Sequence, residues 1–373
     1  MIYLDHLAST PLDPLVLEAM LPWMRPEAAG NPHAAHAAGW RAADAIEQAK
    51  GEVAALVGAQ PGEVVFTSGA TEANALALLG GVPPGGGCVV SGVEHASVLG
   101  CLPELRRRGH PVVVLPVDGT GRVDPAGLER ALTGLPGAAL VSVMAANNEV
   151  GTLQPLAELT AVAARHGALM HSDAVQALST RILDMAALGL QGLSLSGHKL
   201  YGPMGIGALI VRPPFRPVPA SAGGGQQCGL RAGTLPTPLC VGLGAACRLA
   251  RERREEDARR IVALRDRLWE RLRELLPGIR RNGAGGDGEA LAGCLNVTVP
   301  GIDAADRLLD LPELAVATGS ACHSGAGEPS HVLLALGLSA ADAHASLRFG
   351  LGRGTTAEDV DAAAERLAAL LTS

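Results

Sequence analysis

Aromatic side chains are nearly missing from this chain: three Trp, two Tyr and three Phe make up 2% of its 373 residues. The core must therefore be built from Leu, Val, Ala and Ile, and few flat side chains are left on which nucleic-acid bases could stack. An excess of basic residues is missing too. With a formal charge of −7 there is no positive field to draw a polyphosphate backbone, so nucleic acid is not expected as a ligand. The seven cysteines (88, 101, 228, 240, 247, 294 and 322) are odd in number and show no C-x-x-C spacing. That pattern argues against a disulfide framework or a zinc site and fits a reducing cytoplasm. No apolar stretch reaches ~18–20 residues without a charge, Gly or Pro break, so no membrane span is expected. The start, Met1-Ile2-Tyr3-Leu4-Asp5-His6, has no basic segment leading into an apolar one, so no signal peptide is expected.

What is present is the composition of an ordered protein, 48% hydrophobic and 18% charged, long enough for more than one domain. Apolar residues at helical spacing predict a helix over 41–57. From 64 onward, strand-like runs at 64–67, 88–91, 112–117, 139–144, 168–171, 193–196 and 205–211 alternate with helical patterns, notably 71–79, 98–108, 125–132 and 156–166. Such alternation predicts a mostly parallel sheet covered on both faces. Pro213-Pro214, Pro217, Pro219 and Gly223-Gly224-Gly225 close the series. A long helix is expected to about 276, its run Arg251–Asp257 read as a solvated, mixed-charge face. Strands at 294–299 and 314–317 and a helix at 357–371 complete a smaller α+β unit. The expected division is a large α/β domain over 14–250 and a small α+β domain over 1–13 and 251–373.

The segment Leu193–Pro203 holds the most pointed chemistry. A strand-like run ends in Gly197-His198-Lys199, placing a lysine at the carboxyl end of a strand, where open α/β sheets bind ligands. Lysine there can form a Schiff base with a carbonyl compound such as pyridoxal phosphate, or can simply be a loop residue in water. Four other features fall at strand ends. Thr67-Ser68-Gly69-Ala70-Thr71-Glu72 opens a helix whose free N–H groups suit a phosphate, or only cap the helix. Asp173, in His171-Ser172-Asp173-Ala174-Val175-Gln176, can pair with a pyridinium nitrogen or cap the next helix. His95, in Gly92–Ser97, can lie over a flat ring or move protons. Asn147-Asn148 offers amides to a phenolic oxygen or a carboxylate, though such pairs are also loop material. His33 and His36, three apart, have no acidic or thiol partner beside them and read as loop and helix-start residues.

Taken jointly, these motifs resemble the cysteine desulfurases of the class V aminotransferase group, fold-type-I pyridoxal-phosphate enzymes, and within them the housekeeping and nitrogen-fixation subgroup. The matching segments run from Tyr3-Leu4-Asp5 through those above to Arg231–Thr234, Gly319-Ser320-Ala321-Cys322 and Ser346-Leu347-Arg348-Phe349. The resemblance implies a seven-stranded, mostly parallel sheet and pyridoxal phosphate on Lys199. It implies that Asp173 pairs the ring nitrogen, Gln176 reaches the phenolic oxygen, His95 stacks on the ring, and Asn148 sits near both phenolic oxygen and substrate. Ala70, Thr71, Ser196 and His198 would hold the phosphate, with Thr234 contributed by the second subunit of a homodimer. Arg348 would clamp the carboxylate of L-cysteine. Cys322, in a glycine-flanked loop at about 318–330, would attack the substrate sulfur and keep a persulfide for a protein acceptor, as in iron–sulfur cluster assembly. A selenocysteine lyase or a cysteine-sulfinate desulfinase on the same fold is the alternative. The chain departs from the family at Ser9, at Gln227, where Glu is usual, and at His323 beside Cys322.

Overall fold

The computed structural model describes residues 1–286, 288–318 and 328–372. A two-residue strand, β1 (Ile2–Tyr3), is followed by helices Pro14–Met20 and Ala37–Val57. Then β2 (Val64–Thr67), β3 (Gly87–Ser91), β4 (Val112–Leu115), β5 (Ala139–Ser142), β6 (Leu169–Asp173), β7 (Gly192–Ser196) and β8 (Gly207–Val211) join in one seven-stranded sheet, ordered β2-β8-β7-β6-β5-β3-β4. The β3-β4, β3-β5, β5-β6 and β6-β7 pairings are parallel, as the alternation predicts, and β8 is antiparallel to both β2 and β7. Since β8 is reversed against both neighbours, β2 runs the same way as β3 to β7. The carboxyl ends of all those strands therefore open on one edge. Every residue of β3, β5 and β7 is buried, because helices cover both faces of the sheet.

A second core lies beside β9 (Arg280–Asn282), β10 (Cys294–Thr298), β11 (Leu314–Ala315), β12 (Ala317–Thr318) and β13 (Ser346–Gly350). Four of these form an antiparallel sheet, β12-β13-β10-β9, while β11 pairs in parallel with β1. The N-terminal strand is thus stitched to the second unit. The helix Thr237–Leu275, 39 residues long, serves both cores. Cys240, Leu243, Ala246 and Ala250 pack into the large one, and Ile261, Leu264, Leu268 and Leu272 into the small one. The expected boundary at 250 falls inside this continuous helix, where the buried face changes partners.

Several expectations need correction. The single helix expected over 98–108 is two, Ala96–Leu99 and Leu102–Arg107. Gly100 breaks the first, and Pro103, at the start of the second, has no N–H to continue it. The strand expected over 314–317 divides between two sheets, β11 and β12. The charged run of the long helix is not wholly solvated: Arg254 and Asp257 are buried, and Arg353 Nε donates to Asp257 Oδ2 at 2.9 Å.

One glycine shows how tightly the sheet edge is built. Gly207 on β8 lies opposite Thr67 of β2, and a Cβ there would stand 2.5 Å from the Leu195 carbonyl oxygen and 2.8 Å from the Gly69 backbone. Its bareness lets the turn after β2 fold back over the sheet. Gly207→Ala is expected to cost about 1–3 kcal/mol of stability through overpacking, read as a lower denaturation midpoint with little change in the slope.

Candidate functional site

The strand ends meet in an open cleft of about 580 Å³. It is lined by Ala70 and Thr71 after β2, His95 after β3, Asn148 after β5, Asp173 and Gln176 at the end of β6, and Ser196, His198 and Lys199 at the end of β7. Arg348, from the middle of β13, enters from the second sheet. Thr234 does not line the cleft. It is exposed in the connection before the long helix. Cys322 lies outside the described residues.

Lys199 stands in a short 3₁₀ turn, Gly197–Lys199, directly after β7. Its Nζ donates to the backbone carbonyls of Leu7 and Ala8, the latter at 2.8 Å, and Gln176 Nε2 also donates to the Leu7 carbonyl, at 3.0 Å. The turn is pinned by Thr10, whose Oγ1 donates to the His198 carbonyl at 2.9 Å and accepts from the Tyr201 N–H at 2.8 Å. Tyr201 is held at φ 60°, a left-handed conformation that a bulky residue adopts only under constraint. Burial, then the neighbouring Lys199 charge, pulls the His198 imidazole down to about 4. At neutral pH His198 is uncharged.

The helix Ala70–Gly81 begins at Gly69 with no side-chain cap on its first N–H groups. The Glu72 carboxylate instead accepts from the Ser68 N–H and is paired with Arg231 at 2.9 Å. Uncapped N–H groups and a positive helix end, both opening into the cleft, make an anion site. Asp173, 5% exposed, accepts from the Val175 N–H at 3.0 Å and from Asn74 Nδ2 at 2.7 Å. Arg348 is 2% exposed. It donates to Asp5 Oδ1 at 2.9 Å and to the Asn148 carbonyl at 3.0 Å, while its Nε has no partner among the described residues. A buried guanidinium with an orphaned N–H is a ready receptor for a carboxylate. Amine, carboxylate, uncapped helix start and guanidinium together fit pyridoxal phosphate carrying an amino acid.

Other residues that matter here carried little sequence signal. Asn74 is a fully buried amide among Ala73, Leu76 and Ala77, and a polar side chain at a core position was the only clue. The Leu7 and Ala8 carbonyls carry no side-chain signature at all. Gln227, where the family usually has Glu, has a specific use. Its amide accepts from the Phe66 N–H at 2.6 Å and donates to the Phe66 carbonyl at 2.9 Å. A carboxylate could make only the first of these bonds. His33 and His36 stay out of the cleft, and His36 Nδ1 caps the helix Ala37–Val57 by accepting from the Gly39 N–H.

A doubly covered α/β sheet with a lysine and a carboxylate at neighbouring strand ends is the architecture of the fold-type-I pyridoxal-phosphate enzymes. More narrowly, the chain belongs to the class-V aminotransferase family, whose model matches residues 2–363. These enzymes depend on pyridoxal phosphate. The chain is 43% identical to a cysteine desulfurase of Mus musculus, over 98% of this chain and 80% of the mouse protein. It is similar in structure to a NifS-like protein from Rickettsia africae, with a TM-score of 0.90, 30% identity and 100% of both chains covered. It is also similar to SspA in complex with cysteine, with a TM-score of 0.82, 36% identity, and 94% and 99% of the two chains covered.

Beneath the cleft lies Glu94, 0% exposed. Its Oε1 accepts from Ser91 Oγ at 2.6 Å and the Met144 N–H at 2.8 Å, and its Oε2 has no partner among the described residues. Burial pushes its pKa up to about 8 from an ordinary 4.5. Between those values the unfolded chain releases a proton that the folded one keeps. This group's contribution is therefore fully present below 4.5 and is lost as pH rises toward 8. Glu94→Gln, which stays neutral, is expected to flatten that part of the stability–pH curve, measured by denaturant titration across the same range.

Proposed function

We propose that this chain is a pyridoxal-phosphate-dependent cysteine desulfurase. It takes sulfur from L-cysteine, releases L-alanine, and holds the sulfur as a persulfide on Cys322 for an acceptor protein. The observation that carries this reading is the convergence of Lys199, Asp173 and Arg348 on one cleft, in a chain 43% identical to a protein named for that activity. A structural neighbour solved with cysteine supports the substrate.

When bound, the cofactor draws electrons from the substrate's Cα. Lys199 would hold it through Nζ, and the same amine would serve to take the Cα proton. Asp173 would keep the ring nitrogen protonated, Gln176 and Asn148 would meet the ring oxygen, and His95 would lie against the ring. Ala70, Thr71, Ser196 and His198 would hold the phosphate, with Thr234 of the partner subunit contributing to the same site. Arg348 receives the substrate carboxylate on the guanidinium that Asp5 otherwise orients. The Cys322 thiolate attacks the substrate sulfur, so a carbon–sulfur bond breaks as a sulfur–sulfur bond forms, and protons return to carbon to give alanine. The homodimer is supported by exposed apolar side chains around the N-terminal helices, Leu15, Leu17, Leu21, Met24 and Trp40, which are better covered than left in water. Free thiols at Cys88, Cys101, Cys228, Cys240, Cys247 and Cys294 suit a reducing cytoplasm, and iron–sulfur cluster assembly is the destination we assign to the sulfur.

Purified protein given L-cysteine and a thiol reductant should form alanine and sulfide in equal amounts, and Cys322→Ala should abolish both. Turnover that survives in that variant, on selenocysteine or cysteine sulfinate, would point instead to an eliminating lyase. Lys199→Ala should lower alanine formation by at least ~10²-fold, the scale of a lost general base. Arg348→Lys should raise KM about ten- to a hundredfold, the weight of a charged hydrogen bond to the carboxylate.

A further inference from the structure

A line of hydrogen bonds runs beside the cleft from Asp173 to His95 through Asn74 and Ser97, neither of which has a role in the mechanism above. Asn74 Nδ2 donates to Asp173 Oδ2 at 2.7 Å and to Ser97 Oγ at 2.9 Å. Ser97 Oγ in turn lies 2.8 Å from His95 Nδ1, and the Ser97 N–H donates to the same Nδ1 at 3.1 Å. The directions are forced. A carboxylate only accepts, so Asn74 must turn its NH₂ toward Asp173; both amide hydrogens are then spent, one on Asp173 and one on Ser97. The orphaned Asn74 Oδ1, buried without a partner among the described residues, is the cost of that orientation. At the other end a backbone N–H only donates, so His95 Nδ1 must be a bare acceptor. Ser97 Oγ, which accepts from Asn74, then points its own hydrogen at Nδ1 as well. An imidazole with an unprotonated Nδ1 carries its hydrogen on Nε2.

We propose that Asn74 and Ser97 are positioning residues that hold His95 as the neutral Nε2–H tautomer, so that His95 serves the cleft as a hydrogen-bond donor and not as a base. This inference rests on the reading that substrate reacts between Lys199 and His95. A neutral imidazole with Nε2–H can polarise a group in which negative charge develops, such as the sulfur or an oxygen of the bound substrate. It has no lone pair at Nε2 with which to take a proton. The task of removing protons then falls on Lys199, whose amine reaches the same cleft. Asn74 also ties His95 to Asp173, so the residue proposed to face the ring and the one proposed to pair its nitrogen share a single anchor.

The test is nitrogen NMR on protein labelled at histidine, with and without bound cofactor, His95 being identified as the signal lost in His95→Gln. The wild type should show the Nε2–H pattern, and a signal with hydrogen on Nδ1 overturns the proposal. Ser97→Ala removes the hydroxyl donor to Nδ1 but keeps the backbone N–H, so the Nε2–H pattern should stay while the Nδ1 resonance shifts downfield with the lost hydrogen bond. Its kcat should fall about fivefold, the weight of one net hydrogen bond, and Ser97→Thr should restore both. An unchanged Nδ1 resonance or an unchanged kcat in Ser97→Ala overturns the relay. Failure of the wild type to form alanine from L-cysteine, with the Nε2–H pattern intact, would overturn the desulfurase reading and leave the tautomer assignment standing.

Discussion

The lysine at the centre of the cleft is held by the first dozen residues of the chain, and most of the site's geometry depends on that contact. The segment pairs with β11 through Ile2 and Tyr3, meets Arg348 through Asp5, offers the Leu7 and Ala8 carbonyls to Lys199, and pins the lysine turn through Thr10. It ends at Asp13, whose Oδ2 accepts from Arg353 Nη1 at 2.7 Å. The amine donates to two backbone carbonyls, groups without net charge, so the lysine is held at the cleft by the strap's main chain. The same strap joins the two cores, since it runs from the small sheet to the mouth of the large one.

Burial supplies the second constraint. Glu149 follows Asn148, and burial, opposed by Ser330 and Arg348, pushes its carboxyl up to about 7. Burial brings His171 down to about 3, and its two ring nitrogens are engaged by Ser142 and Ser194 hydroxyls at 2.9 Å each. Burial thus disfavours the charged form of both groups. In so dry a setting the Arg348 guanidinium acts with far more force than it would at the surface. Its Asp5 partner keeps it from being a lone buried cation, whose desolvation would be prohibitive.

Hydrogen-bond direction links these two themes. At Asn74 the carboxylate of Asp173 fixes the amide, the amide fixes the Ser97 hydroxyl, and the hydroxyl fixes the imidazole. The directions follow from the two ends, a carboxylate that can only accept and a backbone N–H that can only donate. Asn147 shows the same logic in a purely structural setting, its Oδ1 accepting from the Glu149 and Val150 N–H groups and its Nδ2 donating to the Val93 carbonyl. Of the neighbouring amides, Asn147 holds the loop and Asn148 lines the cleft, a division that the repeated residue type conceals.

The alternation of strands and helices was legible because period and turn chemistry are local properties: β2 through β8 and the lysine turn after β7 all stand near their expected places. Lys199, Asp173 and His95 were legible for the same reason, each being a polar residue at a strand end. Arg348 had no such cue. It becomes a cleft residue because β13 pairs with β10 and brings it against Asp5, far away in sequence. β13 is itself a short run, Ser346–Gly350, whose identity as a strand depends on neighbours. Asn74 and Ser97 were likewise invisible, since a hydrogen-bond relay exists only once two helices and β6 are packed. The sequence by itself determined the sheet, its exposed strand ends and the residue types placed there, through local periodicity and turn residues. Only the tertiary structure decided which of those residues face one another, how dry they are and which nitrogen carries the proton, because desolvation and hydrogen-bond direction are properties of contacts.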